Sequence, residues 1–283
     1  AIPQKYYEEY GIRKYGFHGT SHKFVAQAAA DYLKRPLEEL KLITCHLGNG
    51  SSFAAIKGGK VLDTSMGMTP LPGMIMGTRC GDIDPAIIPY MMDNTGMSAK
   101  EMDTTLNKKS GLIGLCGKSD RRDVLKASQE GDLRAKLAID MECRRLKKYI
   151  GGYATLLDGK LDAIVFTAGV GEMARHIRLG ACKGLEAIGA KLDEHKNEVC
   201  FSRNGEFVIS TDDSPVKILV IPTDEELVMT EDAYALMNGT YDVHTNFHYT
   251  FEEKDYVNKG RERDLKKNIE KNPELATILA IPR

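Results

Sequence analysis

No apolar run in the 283-residue sequence approaches the roughly 20 residues that a membrane-spanning helix needs, so no membrane partner is expected. No charged-then-apolar leader precedes the first motifs, and a cytoplasmic protein is the expectation. Neither sign of charge dominates. Basic residues number 39 and acidic residues 40, and without a basic excess a nucleic-acid partner is not expected. The six cysteines, Cys45, Cys80, Cys116, Cys143, Cys182 and Cys200, form no C-x-x-C pair, which argues against zinc ribbons and a disulfide framework. Reduced, mostly buried thiols are expected. Internal repeats and low-complexity tracts are also missing. What is present is a globular composition, with 42% hydrophobic and 28% charged residues, which places the chain outside the disordered and membrane classes.

Strand-like runs alternate with helical stretches. Gly58-Gly59 between "FAAIK" and "KVLDT" predicts a hairpin, because a tight primed turn takes those residues. "LDAIVFTAGVGE" and "VKILVIPTDEELVM" read as buried strands opening into helices, since their β-branched cores lack polar alternation. Asp132 is a candidate N-cap for a long helix, with Leu133, Leu137, Met141, Leu146, Tyr149 and Tyr153 recurring near the helical period. Thr223 and Glu226 match a capping box for another helix, which Asn238-Gly239 should end. The pattern predicts an α/β domain with a mixed β-sheet flanked by helices. Residues 1–239 are expected to form it, and the charged, weakly periodic 240–283 a tail of loose or helical structure.

Glycine-rich elements follow the apolar runs. "TCHLGNGSS", Thr44–Ser52, reads either as a hairpin turn or as a loop whose bare N–H groups hold phosphate oxygens. "TPLPGMIMGTRCGDIDP" and "TAGVGE" have the same texture. Singly they are generic, and "AGVGE" lacks the third glycine of a dinucleotide fingerprint.

In order, "YGFHGTSH", "CHLGNGSS", "DTSMGMTPLPG", "MGTRCGDIDP", "KSDRRD", "FTAGVGE" and "PTDEEL" resemble the acetate kinase family from about Tyr6 to about Met229. The resemblance implies an RNase H-like (actin-like ATPase) fold and an enzyme moving the γ-phosphoryl group of ATP to acetate, giving acetyl phosphate and ADP with Mg²⁺. Propionate kinase and a non-catalytic nucleotide-binding module are the alternatives. The resemblance also implies a homodimer. It covers the family's C-terminal domain, while the family's catalytic aspartate and amino-terminal phosphate loop have no counterpart. Pro72 and Cys80 stand where the family more often carries glutamate and serine, and Met173 where it carries asparagine.

The resemblance assigns His18 and Arg79 to the phosphoryl group in flight. The nucleotide is assigned to His46, Leu47, Gly48, Asn49 and Gly50, to Asp120, Arg121 and Arg122, and to Gly169, Val170, Gly171, Glu172 and Met173. Glu225 matches the magnesium-associated glutamate. These types suit phosphoryl transfer, in which the protein positions the reactants and neutralises charge on the equatorial oxygens. Arginine offers a permanent planar fork and histidine a directional donor. An acetate nucleophile is already ionised and needs no strong base. The other reading of Asp120 is a cap on the following helix, and the two roles can coexist. The other reading of Glu225 is first-turn charge answering the helix dipole. Gly171 is expected to face space that the nucleotide occupies. His22, His176, His195, His244 and His248 are taken as structural hydrogen-bonders, and Met66, Met68, Met74, Met76, Met91 and Met92 as packing groups.

Overall fold

The computed structural model describes residues 1–242, 247–253 and 255–281. Its strands are β1 (Lys41–Leu47), β2 (Ser51–Lys57), β3 (Lys60–Thr64), β4 (Ala163–Thr167), β5 (Glu206–Val208), β6 (Lys217–Val220) and β7 (Leu279–Ile281). They form a seven-stranded sheet in the order β3-β2-β1-β4-β6-β5-β7. β1, β2 and β3 are sheet neighbours linked only by Gly48-Asn49-Gly50 and Gly58-Gly59, and links so short permit only antiparallel pairing. Gly58 and Gly59 have φ of 60° and 75°, the two left-handed residues of the expected primed turn. β4 runs parallel to β1, with Cys45 opposite Phe166, and β6 runs parallel to β4. β5 pairs antiparallel with both β6 and β7. β4 is buried throughout and β6 from Ile218 onward, as the runs without polar alternation require.

The chain divides into two compact units. The first comprises Ala1–Phe17, Asn49–Phe53 and Thr64–Tyr149, and the second His18–Gly48, Ala54–Asp63 and Ile150–Arg283. In the first, the helices Gly111–Cys116 and Arg121–Gln129 and the part of the Leu133–Leu156 helix up to Tyr149 bury Leu112, Val124, Ala127, Ala135 and Ala138 with Ile75. In the second, the Gly19–Leu33 helix packs Phe24, Val25, Ala28 and Ala29 with Leu42, Val165 and Leu219 of the sheet.

The described part of the segment after Gly239 belongs to the second unit and adds side chains to its core. Tyr249 and Phe251 are fully buried there, the Lys259–Lys271 helix follows, and β7 becomes a sheet strand. The flanking charges masked this pair of aromatics in the sequence.

Two helices differ from expectation in detail. Asp132 does cap Leu133–Leu156, accepting from the Arg134 and Ala135 amides at 2.9 and 3.2 Å. Yet Leu133, Leu137 and Met141 are exposed, and the buried stripe begins with Ala135 and Ala138 and continues through Leu146, Ile150 and Tyr153, so the expected positions reach the core only in the second half of the helix. The Glu225–Met237 helix is capped by Asp224, one residue after the expected Thr223; its carboxylate accepts from the Leu227 amide at 3.2 Å. It ends at Asn238 and Gly239 as expected, with Gly239 at φ 67°.

Candidate functional site

In the second unit three histidines converge. His18 is the N-cap residue of the Gly19–Leu33 helix and sits at φ 61°, unusual for a side chain larger than glycine. Its ring stacks on that of His46 at the end of β1, with centroids 3.9 Å apart and planes 13° from parallel. His46 Nδ1 lies 2.8 Å from the Ser21 hydroxyl, and His22 Nδ1 lies 2.7 Å from the Thr44 hydroxyl. Burial, followed by the neighbouring imidazoles, pushes the pKa of His22 and of His46 down to about 3. Both rings are therefore neutral near pH 7. His46 and Leu47 are strand residues, buried, so the turn that follows β1 is Gly48-Asn49-Gly50, with Asn49 exposed.

The glycines after β4 are in a helix rather than a loop. Ala168–Met173 is helical, and the left-handed residue is Ala168, at φ 62°. A Cβ at Gly171 would stand 3.3 Å from the Phe166 carbonyl carbon and 3.6 Å from the Cys45 carbonyl oxygen. Gly171 thus lets this helix close on β4 and β1, and it does not face open space. At Gly169 a Cβ would meet only the guanidinium end of Arg203. The helix is held by Arg178, a fully buried side chain that donates to the carbonyls of Gly171 and Glu172 at 2.9 and 2.7 Å. Sequence reasoning missed Arg178, since nothing distinguishes it from a surface arginine of "ARHIRLG". Burial raises the Glu172 pKa to about 7, against the opposing pull of Arg203 and Arg261.

Glu225 is half-buried in the first turn of its helix, and its Oε1 accepts from the Thr20 hydroxyl at 3.3 Å. Among the described residues no group of three or more His, Cys, Asp or Glu side chains could hold a metal. A single half-exposed carboxylate fits Mg²⁺ of one kind: an ion that takes most of its oxygens from phosphates and water.

In the first unit Arg79 is half-buried and donates to the Pro70 carbonyl at 3.2 Å. Its loop is tightly closed. Met76 donates to the Arg79 carbonyl, Leu112 donates to the Met76 carbonyl, and a Cβ at Gly111 would stand 2.1 Å from that oxygen. Asp82 accepts from the Gly73 amide and the Tyr149 hydroxyl, which makes it a scaffold of the loop. Asp120 caps Arg121–Gln129 through the Arg122 amide at 2.8 Å and pairs with the Arg122 guanidinium, which with that amide lowers its pKa to about 2. Arg121 turns inward instead. Its guanidinium is buried against Glu142, with Nε 2.7 Å from Oε1, so it holds helices together and is not presented to solvent.

Of the other histidines, His195 lies 3.8 Å from Glu274, and His248 contacts Glu252 and Glu253. His244 falls outside the described residues. All six cysteines are free thiols, four of them buried, as expected. Met66, Met74 and Met76 are buried packing groups, while Met68 is exposed. No helix among the described residues is long and apolar enough to cross a membrane.

A sheet in which an antiparallel three-stranded meander continues into two parallel strands, with β-to-helix turns at the carboxyl ends of β4 and β6, defines an actin-like ATPase fold. The model of the acetokinase family matches residues 1–231. The chain is 58% identical over its whole length to an acetate kinase of Treponema pallidum (strain Nichols), covering 63% of that protein. It is 56% identical to an acetate kinase of Geobacter sulfurreducens, over 91% of this chain and 61% of that one. Among solved structures, Porphyromonas gingivalis acetate kinase superposes with TM-score 0.80 at 42% identity, over 84% of this chain and 59% of that one. A propionate kinase from Francisella tularensis superposes with TM-score 0.75 at 45% identity, over 81% of this chain and 57% of that one. The chain belongs to the acetokinase family. It spans less than two thirds of the length of these relatives.

Proposed function

We propose that the protein containing this chain transfers the γ-phosphoryl group of ATP to acetate, giving acetyl phosphate and ADP reversibly. The observation that carries this reading is the 58% identity to an acetate kinase over the full chain. In the second unit His18 would donate to the phosphoryl oxygens, with its ring oriented by the stack on His46. Gly48-Asn49-Gly50 would meet the nucleotide phosphates, and Gly169–Met173 the adenosine side. In the first unit Arg79 would neutralise charge on the moving phosphoryl group, a term that matters chiefly in the transition state. Asp120 and Arg122 would contact the nucleotide, whereas the buried Arg121 supports their turn. Glu225 would hold Mg²⁺ directly or through water. When bound, Mg²⁺ supplies positive charge to the nucleotide phosphates.

The protein is further read as a cytoplasmic homodimer. A coupled assay on the full-length parent tests the reaction: acetyl phosphate forming from acetate and ATP supports it, and no product refutes it. Propionate belongs in the same assay, because a pocket discriminates one methylene by only about 1–3 kcal/mol. ADP binding by the 283-residue chain without turnover would identify this chain as a nucleotide-binding module.

A further inference from the structure

Two helix N-caps meet in the second unit. Asp224 caps Glu225–Met237, and Asn258 caps Lys259–Lys271 by accepting from the Arg261 amide at 3.1 Å. The Asn258 side-chain nitrogen donates to the second Asp224 oxygen at 3.1 Å, so one cap holds the other. Arg261 spans the same junction. Its Nη1 donates to the Pro222 carbonyl at 2.9 Å and its Nη2 to the Thr223 carbonyl at 2.6 Å, with the guanidinium 3.7 Å from Asp224. A planar fork satisfies two successive carbonyls at once, which a lysine ammonium on its flexible stem does less well.

The same C-terminal segment grips the Glu225–Met237 helix further along. Tyr249 donates to Asp232 at 2.5 Å, and the Thr250 amide donates to Glu231 at 2.9 Å. The family match ends at residue 231, so Asn258 and Arg261 lie outside it, yet they hold the turn of the family motif "PTDEEL".

We propose that Arg261 is a positioning residue that, with Asn258, fixes the Pro222–Asp224 turn and thereby the orientation of the Glu225 carboxylate. The inference rests on the reading of Glu225 as the metal-associated group. Without the clasp the Pro222 and Thr223 carbonyls turn to water, the Asp224 cap loosens, and the first turn of the helix frays. A small cavity lined by Phe24, Pro222, Tyr256 and Leu265 already adjoins Arg261, so truncating it enlarges an existing space and the fold should survive.

Hydrogen exchange on the 283-residue chain reads the positioning directly. The Leu227 and Val228 amides, bonded to the Asp224 side chain and carbonyl, should exchange at least about tenfold faster in Arg261→Ala, with Arg261→Lys between. Tyr249→Phe, which breaks the distant grip on Asp232, should leave them unchanged. Unchanged exchange in Arg261→Ala, or equal acceleration in Tyr249→Phe, overturns the proposal. ADP titrations with and without Mg²⁺ read the consequence. Arg261→Ala should lose at least about threefold of the Mg²⁺-dependent gain in affinity while its Mg²⁺-free affinity stays within about twofold. If Glu225→Gln loses the gain and Arg261→Ala keeps it, the positioning role alone has failed. If Glu225→Gln keeps the full gain, or the unmodified chain shows none, the reading of Glu225 has failed and the proposal falls with it.

Discussion

The imidazole of His18 lies flat on that of His46, 3.9 Å between centroids, while Ser21 engages the far ring of the pair through Nδ1. The stack joins the N-terminus of one helix to the end of β1. It also puts a second histidine where a positive charge is costly, because His46 is buried and faces another imidazole.

Acid should therefore weaken the fold through His22 and His46. Their folded pKa values, about 3, lie below the ordinary 6.5, so the unfolded chain binds more protons between those limits. The stability they contribute is present above pH 6.5 and is lost as pH falls toward 3. His22→Gln can still bond Thr44 but cannot be protonated, so its melting temperature should fall less between pH 7 and pH 4.5 than the unmodified chain's. Parallel melting curves across that range would show that His22 does not carry the effect.

Arg79→Ala in the full-length parent should lower kcat by roughly 100-fold or more, about 3 kcal/mol, with KM for ATP changed less than about threefold. The loop around Arg79 is closed by backbone bonds of Met76 and Leu112, so it should survive the truncation. Steady-state kinetics decide this, and an unchanged kcat would leave Arg79 as a structural donor to Pro70.

Glu172 acts on stability in the opposite sense to the histidines. Its folded pKa, about 7, is above the ordinary 4.5, so its contribution is greatest below pH 4.5 and is lost as pH rises toward 7. Glu172→Gln removes that loss. Its melting temperature relative to the unmodified chain should rise from pH 5 to pH 8 by the equivalent of on the order of 2 kcal/mol. A difference independent of pH would show that Glu172 ionises without cost beside Arg203.

Gly171→Ala should lower stability by about 1 kcal/mol or more, since its Cβ would press on the Phe166 backbone, and Gly171→Val should cost more. Gly169→Ala should cost little, because the Arg203 side chain can move. Thermal melts and ADP titrations on both variants test the distinction. A normally melting Gly171→Val with weakened ADP binding would restore Gly171 to the nucleotide's side.

Local chemistry was legible wherever a residue type permits only one backbone path. Gly58-Gly59 specified a hairpin, unbroken β-branched runs specified β4 and β6, and Asp132 specified a helix start, because φ preferences, two-sided burial and amide capping are short-range properties. The ordered motifs likewise identified the family and the fold it carries. Tertiary packing decided the rest. Only the sheet made Gly171 a contact glycine, since the closeness of Phe166 and Cys45 is invisible along the chain. Arg121 and Arg122 are identical neighbours in sequence, and only the position of Glu142 takes one into the core and leaves the other outside. Leu133, Leu137 and Met141 obey helical spacing yet face outward, because periodicity defines a stripe without saying which stripe the neighbouring helices cover. The segment after Gly239 reads as a charged tail until Tyr249 and Phe251 enter the core and Arg261 reaches Pro222. Burial depends on the partners that distant parts of the chain bring, and no local property of the sequence encodes them.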